Sequence, residues 1–259
     1  MASGVRADSS RVSVWLDGGT TPKRKAAAEG EAGEGALDRE RIVAATVRLL
    51  DAEGLAKFSM RRLAAELGVT AMSVYWYVAN KDDLLEYALD HVCAGIALPD
   101  AADESTDWRE QLRVLAAGYR RQLLRHPWVP QLLGRYLNIG PNAMEFSNAV
   151  IGVMRRTGLP DESMAGALSA LFQFVYGFTS SEVLYNENCR RSGVSQDDHY
   201  RQTLKTIEER PDFTEKYRDA MKLAESRFSM SVADMFERDF SVAVDTVIAG
   251  IEAMRDRGR

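Results

Sequence analysis

The segment from Phe58 to Lys81, FSMRRLAAELGVTAMSVYWYVANK, leaves the chain few options, because it reads as two short helices separated by a tight glycine turn. Ser59 can cap a helix whose Met60, Leu63, Ala64 and Leu67 follow the i, i+3, i+4, i+7 apolar rhythm, and Gly68 supplies the left-handed conformation needed past its end. Thr70 then restarts a helix, its oxygen placed to accept from the exposed N–H groups of Ala71 to Ser73. Val74 and Val78, four apart, turn inward and seat this second helix on the first. The opposite face carries Met72, Ser73, Trp76 and Tyr77, small and aromatic groups suited to a major groove and its sugar–phosphate walls, with Lys81 just beyond. The pattern is a helix-turn-helix. Two short helices about a glycine also occur in helical proteins that never meet nucleic acid, so the spacing alone leaves both readings open.

Around this segment the chain reads as helical throughout. Asp38 can cap a helix running through Ile42, Ala45 and Leu49 to Gly54, which would brace the two DNA-facing helices in a three-helix head. A fourth helix, Lys81 to Ala97, stops near Pro99, a fifth runs from Asp107 to Arg125, and a sixth opens at Pro141 and ends at Gly158. Pro160 precedes an uncharged helix, and a last one runs from about Ser231 to Arg257 with Phe236, Phe240, Ala243, Val247, Ile251 and Met254 spaced by threes and fours. No stretch alternates with period two for long enough to argue a sheet, so the expected fold class is all-α. Asn186 to Asp212, polar and broken by Gly193 and Pro211, reads as a long mobile connection with a short helical piece around Tyr200 to Glu209. Residues 1–36 read as a disordered extension ending in the glycine-rich acidic run from Gly30 to Gly35. Within it, Val12, Val14, Trp15 and Leu16 form a small apolar cluster that either docks somewhere or is part of a flexible tail, and Lys23, Arg24 and Lys25 could enter a minor groove as basic arms do.

Composition excludes several classes. Among 259 residues the net charge is −5, which argues against a protein that coats nucleic acid through bulk positive charge but leaves room for a local basic edge at Arg61, Arg62 and Lys81. Few phosphate contacts per subunit are then expected, with two subunits needed for affinity. Cys93 and Cys189 are isolated, and His91, His126 and His199 complete no ligand cluster, so no metal and no cofactor is expected, and a reducing cytoplasm suits the pattern. Met164 to Ser181 holds 18 residues without a charge, the minimum for a membrane span, yet Ser169, Gln173, Tyr176, Thr179, Ser180 and Ser181 would put many polar groups into hydrocarbon. A helix buried within protein is the better account. No nucleophile elbow, paired metal ligands or phosphate loop supports catalysis.

As a whole, Leu37 to Leu85 resembles the DNA-binding head of the tetracycline-repressor (TetR) family of bacterial regulators. The likeness rests on LLDAEGL (residues 49–55), SMRRLAAELGV (59–69) and SVYWYVANKDDLL (73–85). It weakens after about residue 97, where the helical layout and the RHPW segment (125–128) carry it. The resemblance implies that Arg61 reaches a base edge, as do Ala71, Met72 and Ser73, while Tyr75, Tyr77 and Lys81 hold phosphates. Thr70 and Trp76 complete the expected DNA-binding set. Where Tyr77 stands the family often has histidine, and residues 71–73 vary widely among members, so no operator sequence carries over. Ala71 and Met72 have no side-chain donors, leaving Arg61 and Ser73 as polar readers of a site recognised partly by shape.

The implied organisation is an extension over 1–36, a helix-turn-helix head over 37–82, and an effector-binding and dimerisation body over 83–259. Met164–Leu184 and Ser231–Met254 present more apolar surface than one small bundle covers, and Gly166, Ala170, Gly177, Ala243 and Gly250 permit close helix contact. A homodimer with a four-helix interface is expected, the rival being a monomer with these as core helices. Two heads would then sit about 34 to 36 Å apart on a near-palindromic double-stranded operator. A small molecule that favours another spacing would release the DNA, a full switch needing about 5.5 kcal/mol of differential affinity. Candidate pocket residues are Tyr119, Trp128, Met144, Asn148, Phe172, Tyr176 and Glu182, which suit an apolar or aromatic effector better than a sugar phosphate, although residues of these types at helical spacing are more often plain core. The sequence therefore reads as a cytoplasmic transcriptional repressor; the alternatives are a DNA-binding regulator without effector and a helical enzyme or carrier.

Overall fold

Each of the first four helices opens on a side chain that accepts from the backbone N–H three residues further on. The computed structural model describes residues 12–16, 37–100, 102–103 and 105–257. In it Asp38 accepts from Arg41 at the start of α1 (Arg39–Glu53), and Ser59 from Arg62 at the start of α2 (Met60–Glu66). Thr70 accepts from Ser73 before α3 (Ala71–Tyr75), and Asn80 from Asp83 before α4 (Lys81–Cys93). Such caps contribute about 0.5–2 kcal/mol each. Gly68, between α2 and α3, takes φ 67°, the left-handed conformation the turn requires. Then follow α5 (Trp108–Arg125), α6 (Pro141–Arg155), α7 (Asp161–Ser192), α8 (Gln196–Glu208), α9 (Pro211–Lys216), α10 (Arg218–Glu225) and α11 (Val232–Arg257). No strand occurs among the described residues, and the all-α expectation holds.

The chain divides into two compact units, one holding the residues up to 98 with 125–149, the other 99–124 with those from 150 onward. In the first, α1 packs on α2 and α4, and α2 on α3, around fully buried Ile42, Leu50, Leu63, Val74, Leu84 and Leu85. Carboxylates fasten the 126–143 stretch to this core. Asp51 of α1 accepts from the Trp128 indole N–H at 2.7 Å and lies 2.8 Å from His126 Nδ1. Asp82 accepts from the Tyr136 hydroxyl at 2.6 Å, and burial together with that carboxylate raises the phenol's pKa. Buried Asp90 accepts from Asn142 Nδ2 at 2.8 Å and from the Ala143 N–H at 3.0 Å, so a residue of α4 caps the first turn of α6.

In the second unit α7 packs against α8 and α11. Phe174, Phe178, Phe236, Phe240 and Tyr185 form a chain of ring contacts between α7 and α11 with centroids 5.5–6.0 Å apart. The mobile connection expected from Asn186 to Asp212 is corrected. Residues 186–192 continue α7, Gly193 (φ 66°) closes it as a C-terminal cap, and α8 follows at once, capped by Ser195. The polar composition that suggested a loop belongs to exposed helix faces. On α8 Leu204 alone is fully buried, while Asp197 accepts from the Val232 N–H at 2.7 Å and caps α11. Helices α9 and α10 went unforeseen for the same reason. The acidic run Gly30–Gly35 and the basic run Lys23–Lys25 lie outside the described residues, whereas Val14 is buried against α4.

Gly140 admits no side chain, since a Cβ there would collide with the Asp90 carboxyl group. Gly140→Ala is expected to destabilise the protein by about 1–3 kcal/mol, read from urea unfolding curves, with unchanged helix content in the surviving native state.

Candidate nucleic-acid interface

The second helix of the helix-turn-helix is held from inside and open outside. Val74 and, past the helix end, Val78 are fully buried, while Met72 is 66% exposed, Trp76 50% and Tyr75 41%. Ala71, Ser73 and Tyr77 are half-buried and Thr70 is exposed. The helix is shorter than the valine spacing suggests. It ends at Tyr75, with Trp76 as its C-cap and the Tyr77 N–H donating to the Val74 carbonyl at 3.0 Å, because Asn80 must already start α4. Trp76 and Tyr77 therefore stand in the turn after the helix rather than on it. Thr70 and Ser73 share a hydroxyl contact of 2.9 Å.

The basic edge is partly committed within the protein. Arg61 is exposed near the start of α2, whereas Arg62 is ion-paired with Glu53. The Lys81 ammonium donates to the Phe58 carbonyl at 3.0 Å and lies 5.3 Å from the Phe58 ring centre. It ties α4 to the residue just before α2 while remaining half-exposed.

The candidate effector residues are spread over both units. In the first, Trp128 is fully buried with its N–H on Asp51, and Met144 and Asn148 are exposed on α6. In the second, Tyr119 meets Phe172 edge-on at 5.9 Å, Tyr176 is half-buried, and Glu182 is buried in a salt bridge. That bridge is bidentate: Arg120 Nε and Nη2 each donate to Glu182 at 3.0 Å, and Nη1 donates to Glu237 at 2.6 Å. Burial works against the guanidinium charge, but these hydrogen bonds prevail and hold its pKa above the ordinary arginine value. The Arg120 pair was missed in the sequence because nothing local marks residues 62 apart as neighbours. A groove of about 760 Å³ in the same unit is lined by Phe174, Leu223, Arg238, Val242 and Val247 among others, and by none of the seven candidates.

Among the described residues no cluster of histidine, cysteine and carboxylate side chains could hold a metal ion, and no helix is long and apolar enough to cross a membrane. The Cys93 thiol is pushed up to about 12, by burial first and by Asp90 second, which keeps it protonated and unreactive.

Residues 42–88 match the family model described as bacterial regulatory proteins of the tetR family, and residues 98–255 match the tetracyclin repressor-like C-terminal domain. The chain is 36% identical over 149 residues to an HTH-type transcriptional regulator of Saccharopolyspora erythraea, covering 58% of this chain and 62% of that one. It is 35% identical over 173 residues to the HTH-type transcriptional repressor DrrR1 of Streptomyces coeruleorubidus, covering 66% and 63%. The matched region thus spans less than two thirds of either relative. Among solved structures, apo ActR from Streptomyces coelicolor superposes with a TM-score of 0.69 at 28% identity, covering 86% of this chain and 98% of that one, and ActR in complex with actinorhodin gives 0.68. With one model covering the helix-turn-helix and a second covering more than half of the chain beyond it, the chain belongs to the TetR family of bacterial transcriptional regulators.

Proposed function

We propose that the protein is a homodimeric transcriptional repressor that reads a near-palindromic operator through α2 and α3 and leaves it when a small molecule fills the helical body. The observation that carries this reading is a short helix seated by Val74 and capped by Thr70, with Met72, Tyr75 and Trp76 turned to solvent. Apolar and aromatic side chains of this size are unfavourable on a surface that meets only water, and they suit thymine methyl groups and sugar walls. On this reading Arg61, Ala71, Met72 and Ser73 face base edges, and Thr70, Tyr75, Trp76, Tyr77 and Lys81 face the backbone. Residues 37–82 form the reading head, 83–259 the body, and 1–36 an extension to it.

Exposure along α7 and α11 supports the dimer. Gly166, Gly177 and Gly250 are exposed with open space where a Cβ would lie, Ala170 is exposed as well, and Leu184, Val242 and Met254 add exposed apolar surface on the same two helices. Small residues on an uncovered helix face permit close approach of a second copy. For the effector, support comes from ActR, which holds actinorhodin in a solved structure. Tyr119, Phe172, Tyr176 and Glu182 supply aromatic and polar groups within one unit, and the buried Thr179 hydroxyl beside them has no hydrogen-bond partner, so it can serve a polar group on the effector.

Selection of bound fragments from a genomic DNA pool, repeated with candidate effectors, tests the reading as a whole. Lys81→Ala is expected to weaken binding to all duplexes and lower the salt slope by about 1, whereas Arg61→Ala should cost roughly 1–3 kcal/mol at one base position, both read by titrations on an operator and its point variants. Equal losses on every sequence for both would contradict the assignment. Gly177→Trp should shift sedimentation from twice the chain mass toward the monomer and weaken operator binding in step; full affinity from a monomer would sink the dimer.

A further inference from the structure

Upstream of the head, residues 12–16 form a short turn that is seated on α4. Ser13 and Val14 are 0% and 3% exposed, while Val12 and Leu16 on either side are 64% and 61% exposed, so the segment is anchored at its middle. One oxygen of buried Glu86 accepts from the Ser13 hydroxyl at 2.6 Å and from the Val14 N–H at 3.2 Å. The Ser13 oxygen in turn accepts from the Trp15 N–H at 3.3 Å. Trp15 meets the Tyr87 ring edge-on at 5.0 Å, and the Arg39 guanidinium, from the first residue of α1, also lies 5.0 Å from the centre of that ring. Two pieces of chain, the upstream turn and the start of α1, thus converge on two consecutive residues of α4. A carboxylate this buried needs its donors, and the upstream turn supplies two of them.

Helix α4 is also the element that the reading helix runs into. Its cap Asn80 lies two residues past buried Val78, and its first residue Lys81 is bonded to the Phe58 carbonyl before α2. Restraint applied at Glu86 and Tyr87 acts about one and a half to two turns away from that junction. We propose that residues 12–16 are a strap that clamps α4 and thereby preorganises the reading head, so that the docked strap strengthens operator binding without touching DNA. The proposal rests on the DNA-binding reading above. Its physical content is entropic: a head already confined to one orientation gives up less freedom on the duplex.

Val14→Asn removes the apolar anchor without changing charge or α4. Hydrogen exchange should show protection of the Val14 and Trp15 amides in the wild type and its loss in the variant, with the protection of α1 to α3 intact. Operator affinity should fall roughly fivefold or more, the lower end of what coupled sites show. Glu86→Ala provides the discriminating arm: removing an acidic group would by charge alone tighten DNA binding, whereas loss of the clamp weakens it. Trp15→Ala, which deletes only the ring contact with Tyr87, keeps the test open should Val14→Asn fail to fold. An unprotected Val14 amide in the wild type, an undocked variant with unchanged operator affinity, or a tighter Glu86→Ala would each overturn the strap. Failure of the wild type to bind any duplex is a different result and removes the DNA-binding reading itself.

Discussion

Carboxylates at Asp82, Glu86 and Asp90 repeat every four residues along α4 and so line one side of it, and each is matched with donors from a different stretch of chain. Tyr136 serves Asp82, Ser13 and Val14 serve Glu86, and Asn142 with the Ala143 N–H serves Asp90. Two of the three are buried, where an ionised carboxylate without donors costs several kcal/mol. Any sliding or rotation of α4 would break several of these matches at once. The helix is thereby fixed against both its upstream and its downstream neighbours, although the individual bonds are ordinary ones.

A helix of five residues has no stability of its own, because nucleating a turn costs more than one turn of hydrogen bonds returns. What holds α3 in place is therefore external to it. Thr70 fixes one end, burial of Val74 and Val78 fixes the underside, and Asn80 with Lys81 fixes where the next helix begins. Trp76, just past its end, stays outward because both valines already occupy the interior. On the proposed reading the roles divide, with interior valines holding the helix and exterior side chains reading the duplex.

Much of this was legible in the chain. The caps Asp38, Ser59 and Thr70 and the glycine at 68 announce themselves by residue type and spacing, since each depends on local geometry alone. Elements that depend on distant partners were not legible. The Arg120–Glu182 pair joins residues from different helices, and the polar stretch after Asn186 is helical because one face of it packs on a neighbour that no local rule identifies. Trp76 and Tyr77 illustrate the intermediate case: the exposure of Trp76 follows from the valine pattern, whereas Tyr77 is half-buried and the point where α3 stops is set by the cap of the following helix. The four-residue spacing of carboxylates in KDDLLEYALDH is local, but the donors that make α4 a hub come from distant stretches of chain.

Electrostatics then bear on how the proposed regulator gains specificity. With a net charge of −5, and with Arg62 of the basic edge Arg61, Arg62 and Lys81 paired with Glu53 and Lys81 bonded to a backbone carbonyl, that edge brings little non-specific attraction to a duplex. Ala71 and Met72 add no hydrogen-bond donors, so discrimination per half-site is modest as well. Contributions from well-separated positions add roughly as free energies, so a two-fold assembly squares the specificity ratio of a single head. On the proposed reading the uncovered small-residue faces of α7 and α11 therefore matter to recognition as much as the reading helix does. They convert a weak local reader into a selective one, and any ligand that alters how the two copies are held acts on the squared quantity.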